Sequence, residues 1–342
     1  MGTVPFLWSG GSGTMRSLPV QHRFERITRK MALTFLHRLL ILMTLLAFVG
    51  SRAGADSNPS RFAAGELPAY LLELPDSLRD VLIADTGAAT LYRFEIKEQA
   101  VINVDARYMS IGLNGAGKQR AWDRKTPLGV YFITDRLDTS RMADKYGVAA
   151  FPLDYPNAWD RHQARTGNGI WLHGVDHKQP RRPPRDTDGC LALPNQQLLQ
   201  LADRLQPLTT PVIVARQIEW ALPAELAALR REFRAVLDRW RQSLEQGDLL
   251  TYLTLYHDEF THRGMDKPDW ASYRLEVFDA RELLSVELKD VLLLLDPDEP
   301  DLYLSRFTQV STTAGGPVTV TKRLYWKRRP GNVWQIVSED AG

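Results

Sequence analysis

From residue 78 onward the apolar positions first come in short bursts. Val81-Leu82-Ile83-Ala84 and the run 90–96 flank Asp85-Thr86-Gly87, a turn composition, and read as a β-hairpin. Further bursts at 101–104, 109–113, 130–134, 170–173 and 211–215 are separated by Gly, Pro and Asn, the pattern of a small, mostly β sandwich or barrel. One helix over 195–205 interrupts it, with Leu198, Leu201, Ala202 and Leu205 at helical spacing. The period changes at Pro223. Leu226, Leu229, Phe233, Val236, Leu237 and Trp240 recur at steps of three and four, which predicts an amphipathic helix over 223–246, with Pro223 in its first turn and Gly247 at its end. A second helical stretch is expected over 249–260, then strands near 275–277, 284–288, 303–309, 318–326 and 333–336. Helices followed by strands indicate a second, α+β domain, so the fold class is α+β throughout.

A chain of 342 residues is long enough for two such units, and no apolar run approaches the roughly 20 residues of a membrane span. The expected layout is an N-terminal extension and signal peptide over 1–55, a Pro- and Ser-containing linker over 56–77, a first domain over 78–216 and a second over 223–342. The net charge of +2 conceals an asymmetry, because residues 1–55 carry seven Lys/Arg against the single acid Glu25. The rest is mildly acidic, which gives no electrostatic reason to expect nucleic acid as a partner. Taken from Met31, a basic Arg38, an apolar run over 39–49 and Ala53-Gly54-Ala55 make the three-part pattern of an export signal. The expected location is therefore the periplasm or cell envelope, and residues 1–30 read as a start codon called too early.

Export makes the single cysteine, Cys190, conspicuous, since an unpaired thiol outside the cytoplasm is a liability unless chemistry requires it. Its surroundings are suggestive. Ile170-Trp171-Leu172-His173-Gly174 brings a histidine to the end of a strand, and Thr187-Asp188-Gly189-Cys190 presents the thiol on a Gly-flanked turn. An imidazole can take the thiol proton, and backbone amides at Gly189 and Cys190 are candidates to stabilise the oxyanion formed on attack. Activity would then rise with pH through an apparent pKa belonging to the Cys–His pair. No Cys/His cluster has metal-ligand spacing, and no cofactor is expected.

His173-Gly174 followed by Thr187-x-Gly189-Cys190 resembles the His-Gly…Ser/Thr-x-Gly-Cys signature of the L,D-transpeptidase (YkuD-type) catalytic domain. The opening hairpin, Thr126-Pro127-Leu128-Gly129-Val130-Tyr131 and the closing Thr210-Pro211-Val212-Ile213-Val214 follow in order, so the resemblance covers roughly 78–216. It implies a β sandwich-like domain in which Cys190, with His173 as base and Gly189 in the oxyanion turn, attacks the bond after the third residue of a peptidoglycan tetrapeptide stem, releasing D-alanine. Thr187 would support the loop or the substrate, and Gly174 and Arg185 are further substrate-binding candidates. Arg181, Arg182 and Arg185 could clamp stem carboxylates, or could equally form a charged surface loop. Asp176 and His177 read as a solvated lid rather than a second proton relay. Tyr108 and Trp122 either line the cleft or fill the core, and His162 and His257 carry no signal. Two departures bear on substrate contacts: Asp188 stands where many members have His or Arg, and Ala192 where many have Arg.

The second half, through Trp240, 248–256, Trp270-x-x-Tyr273, Phe307-Thr308-Gln309 and Val333-Trp334-Gln335-Ile336, resembles the NTF2-like cone domain of the cell-shape-determining L,D-carboxypeptidases. Its aromatic residues either line a ligand cone or fill it, and no ligand is named. The size of the transpeptidase group places L,D-transpeptidase first, L,D-carboxypeptidase second, and a non-catalytic wall-binding scaffold third. A chain cut near Trp220 is expected to keep some activity, since both Cys190 and His173 precede the cut.

Overall fold

The computed structural model describes residues 58–279 and 283–342; the expected extension and export signal over 1–55 lie outside the described residues. The first domain is organised on a five-stranded sheet in the order Ala100–Tyr108, Thr90–Lys97, Asp80–Asp85, Pro211–Ala215, Gly129–Phe132. The hairpin expected around Asp85-Thr86-Gly87 is present, with Val81 opposite Phe94. Asp80–Asp85 and Pro211–Ala215 run parallel and are buried throughout, which explains their unbroken apolar sequences: both faces of the sheet are covered. Leu82, Ala84, Val212 and Val214 enter one core beneath the short sheet Ala150–Pro152, Trp171–His173, Leu191–Ala192 and the helix Asn195–Ala202. Val81, Ile83, Ile213 and Ala215 point the other way, into a second core.

That second core is shared between the domains. Its other wall is a six-stranded sheet, Tyr256–Thr261, Val333–Ala341, Gly316–Arg329, Leu302–Thr313, Leu283–Leu295 and Leu71–Glu73. Leu292, Leu294, Leu302, Leu304, Tyr325 and Val337 face the catalytic sheet, while Leu293, Tyr303, Leu324, Trp326 and Ile336 face a third core under the long helix Pro223–Gln246. The helix has the bounds its periodicity predicts and ends at Gly247 in the left-handed region. Residues Ser57–Gly342 form one compact unit. On the helix side Trp240, Tyr252, Tyr256, Phe260, Trp270 and Phe307 are fully buried against one another, so these aromatic side chains fill the space they enclose.

Four expectations are corrected. The stretch over 56–77 is not a free tether: Leu67–Pro68 pairs with Trp220–Ala221, and Leu71–Glu73 forms the edge strand of the second sheet. Tyr70, Leu71, Leu72 and Leu74 are all buried there, an apolar density at odds with a linker. The helix expected over 249–260 stops at Thr254, and Tyr256–Thr261 pairs in parallel with the last strand. Residues 275–277 belong to the helix Lys267–Asp279, whose buried positions Trp270 and Arg274 break the apolar period, because the guanidinium lies over the rings of Trp270, Tyr252 and Phe278. Finally, a cut near Trp220 would expose the shared core, so an independent catalytic half is no longer expected.

Charged groups reinforce the seam. Arg323 bonds Asp154 of the first domain and, at 2.8 Å, Asp340 of its own; Arg165 joins Asp160 at 3.1 Å to Glu299 at 3.0 Å. Burial raises the carboxyls of Asp160, to about 6, and Asp296, to about 7.

Candidate active site

Two short strands place the key side chains. Trp171–His173 and Leu191–Ala192 run parallel, with Leu191 opposite Leu172 and Ala192 opposite His173, so one residue back Cys190 lies beside Trp171. Leu172 enters the core, and alternation therefore puts Trp171 and His173 on the same face as Cys190. The thiol donates to the Gly169 carbonyl at 3.4 Å. Cys190 and His173 both line a cleft of about 590 Å³ together with Lys118, Trp122, Arg124, Lys145, Tyr146 and Arg182.

The turn before the cysteine is closed by Thr187, whose hydroxyl donates to the Cys190 carbonyl at 2.7 Å and accepts from the Gly189 amide at 3.1 Å. Of the two uses expected for Thr187, the loop-supporting one has the contacts. The same bond occupies the Gly189 amide, so of the two oxyanion candidates the Cys190 amide is the one with no acceptor among the described residues. Gly189 is needed for another reason: its φ is +128°, and a Cβ there would lie 2.7 Å from the Lys125 carbonyl.

His173 is buried, and its Nδ1 donates to the Gly174 carbonyl at 2.6 Å, which leaves Nε2 as the acceptor nitrogen. The Gly174 carbonyl thus orients the imidazole. A residue not singled out from the sequence holds this arrangement: Asn195 accepts from the Val175 amide at 2.9 Å and donates to the Val175 carbonyl at 2.8 Å. A Cβ on Gly174 would meet its Oδ1 at 2.3 Å. The only sequence signal for Asn195 is its position at a helix start, where a polar residue is unremarkable.

Burial pushes His173 down to about 4, against a smaller opposing effect of its bond to Gly174, and raises the Cys190 thiol, against the Trp171 amide and Lys145. Burial therefore favours the uncharged form of both groups. Burial of the imidazole moves the acid limb expected of the pair downward. Stability carries the same signature. The folded-state pKa of His173 lies below its unfolded value of 6.5, so its contribution is full above pH 6.5 and is lost as pH falls to 4, by about 3 kcal/mol. Asp160 and Asp296 act in the opposite sense, so the measurement is a difference: urea unfolding of wild type and His173→Gln should converge in stability between pH 6.5 and 4. A constant gap would show that the histidine takes up its proton at the same pH in the folded and unfolded states.

The arginine assignment changes. Arg185 is exposed on the strand Arg185–Thr187, beside Gly115, and is not part of the cleft lining; Arg182 is, and Arg124 and Lys145 join it. Arg181 is exposed. Asp176 is used in a local turn, accepting from the Lys178 amide at 2.8 Å. Trp122 is 95% exposed at the cleft, whereas Tyr108 donates to the Arg182 carbonyl at 2.6 Å and so braces the loop. Ala192 is buried against Ser110 and reaches no substrate space.

Residues 79–214 match the YkuD family, described as the L,D-transpeptidase catalytic domain, and residues 232–340 match the Cds6 C-terminal NTF2-like domain. The chain is a YkuD-type L,D-transpeptidase domain joined to an NTF2-like domain. No curated protein matches it. Among solved structures, Bd1075 of Bdellovibrio bacteriovorus is similar at 25% identity and a TM-score of 0.68, over 81% of this chain and 98% of that one. The helical cell shape determining protein Pgp2 of Campylobacter jejuni is similar at 24% identity and a TM-score of 0.65, over 79% and 94%. Both superpositions extend across the YkuD and NTF2-like domains together. YkuD domains act on peptidoglycan stem peptides, so this chain is a member of a peptidoglycan-acting enzyme class.

Proposed function

We propose that the protein is an exported cysteine acyl-transfer enzyme that cleaves D-alanine from tetrapeptide stems and hydrolyses the resulting acyl-enzyme, an L,D-carboxypeptidase. The observation that carries this is the Cys190 thiol and the buried His173 imidazole on one face of two parallel strand segments, opening into one cleft lined by four cations. His173 Nε2 takes the thiol proton as Sγ attacks the carbonyl after the third residue, and the Cys190 amide faces the developing oxyanion. Collapse breaks the peptide bond, and His173 returns the proton to the departing amine. Water then attacks the thioester, giving its proton to His173, and the tripeptide carboxylate leaves as the thiol is restored.

Water takes first place over an amine because the likeness to Pgp2, a cell-shape L,D-carboxypeptidase, runs through both domains. Transfer to an amine is the second reading, supported by the family of the catalytic domain. A role in cell shape and a periplasmic or envelope location belong to the same proposal; the signal pattern over 31–55 supports the location. The scaffold reading has least support, since its thiol, imidazole and turn would have no reason to be kept together.

Digestion of tetrapeptide-rich peptidoglycan with the purified protein, followed by mass analysis, is expected to give tripeptide at every acceptor concentration. Cross-links or exchange products that grow with added amine would assign the transferase instead.

A further inference from the structure

The cleft beside the thiol is lined by four cations, and they are not equivalent. Lys118 bonds Asp123 at 2.8 Å, Arg182 bonds Asp186 at 3.0 Å, and Arg124 lies 3.6 Å from Asp188. Lys145 alone of the four has no acid partner among the described residues. It sits on the short turn Asp144–Tyr146, exposed, with its ammonium 5.1 Å from the centre of the Tyr146 ring. That ring packs edge-on against His173 at 5.3 Å. The same ring packs against Trp171 at 4.8 Å, so Lys145 is carried at the cleft by an aromatic residue that flanks the base.

That nearness to the base matters because of the proton's route. The base that accepts the thiol proton must later deliver it to the departing amine, so the leaving residue occupies the imidazole's side of the scissile bond. In a tetrapeptide stem that residue is the last one, and it ends in a carboxylate. We propose that Lys145 binds this terminal α-carboxylate and so restricts the enzyme to stems with one residue beyond the scissile bond. The inference rests on the acyl-transfer reading above. Lys145 and Arg182 also oppose a proton on His173, and Lys145 opposes the upward push on the thiol. A substrate carboxylate on Lys145 would weaken both influences as it arrives.

A stem has a second carboxylate, on the side chain of its third, diaminopimelyl, residue, and the test separates the two. The full chain and Lys145→Gln are compared on three soluble muropeptides: the tetrapeptide, the same peptide ending in a carboxamide, and a tetrapeptide with lysine at the third position. The variant is expected to lose about 10- to 100-fold in kcat/KM on the tetrapeptide and on the lysine stem, the size of a lost charge-assisted hydrogen bond, and nothing on the carboxamide. Lys145→Arg should recover part of the loss. Equal losses on all three substrates would mean that Lys145 only sets the charge around the thiol and imidazole, and would overturn the proposal. A loss that disappears on the lysine stem would move the contact to the side-chain carboxylate and overturn it too. Wild-type protein that cleaves none of the three would instead remove the acyl-transfer reading beneath it.

Discussion

Cys190→Ala is expected to reduce D-alanine release to background, a fall of roughly 10⁴-fold or more, because no other group in the cleft can form the acyl-enzyme. The fold should be untouched. The side chain is half-buried, and its bond to the Gly169 carbonyl, at 3.4 Å, is long and weak. The decisive comparison is therefore turnover against the melting curve: loss of both would implicate the turn rather than the thiol, and retained turnover would end the mechanism. Cys190→Ser makes a useful companion. It keeps the shape while replacing the thiol by a far less acidic and less nucleophilic hydroxyl, and so should retain substrate binding with release strongly reduced.

The second large effect concerns the seam. Arg323 is nearly enclosed, between Asp154 on one domain and Asp340 on the other, with its guanidinium 5.3 Å from the centre of the Phe132 ring. Replacing it with methionine leaves two carboxylates facing each other in a desolvated space, which costs about 3–5 kcal/mol. In urea this should appear as a lower midpoint with an unchanged slope, since the same surface is exposed on unfolding. A shift below about 1 kcal/mol would mean that the seam is hydrated in solution and that the apolar core alone joins the domains. A chain ending near Trp220 should fare worse still, remaining unfolded or aggregated, because Val81, Ile83, Phe94 and Ile213 would lose the wall formed by Leu292, Leu294, Leu304 and Tyr325.

How far the sequence could be read depended on whether a signal was local. The hairpin at Asp85-Thr86-Gly87 and the helix Pro223–Gln246 were legible because turn chemistry and a 3.6-residue period are written within a few residues. The pairing of His173 with Cys190 was legible only through a resemblance; nothing in their spacing declares that two short strands will lie parallel. Arg185 was chosen over Arg182 with no means of knowing that the strand Arg185–Thr187 turns one away from the cleft and leaves the other in it. Asn195 and Lys145 escaped notice because each matters through a neighbour brought close by folding, Val175 for one and the His173–Tyr146 pair for the other. The same holds for Tyr256 and Phe260, whose spacing of four suits a helix until the last strand arrives to pair with them. The double-faced burial of Val81-Leu82-Ile83-Ala84 was visible in the sequence as an unbroken apolar run, but not what would cover its second face.

The edge strand Leu71–Glu73 makes the order of building differ from the order of the chain. Its partners, Leu293 and Leu294, lie roughly two hundred residues downstream, a loop that closes late compared with the local hairpins of either domain. While the chain is being made, the catalytic half can assemble its own five strands yet must hold Tyr70, Leu71 and the outer side of that sheet open to water until Leu283–Leu295 is complete. A strand made near the start of the folded region is thus among the last to be locked, and for that interval the nascent protein presents a sticky surface that a slow ribosome prolongs and a holding chaperone would shield.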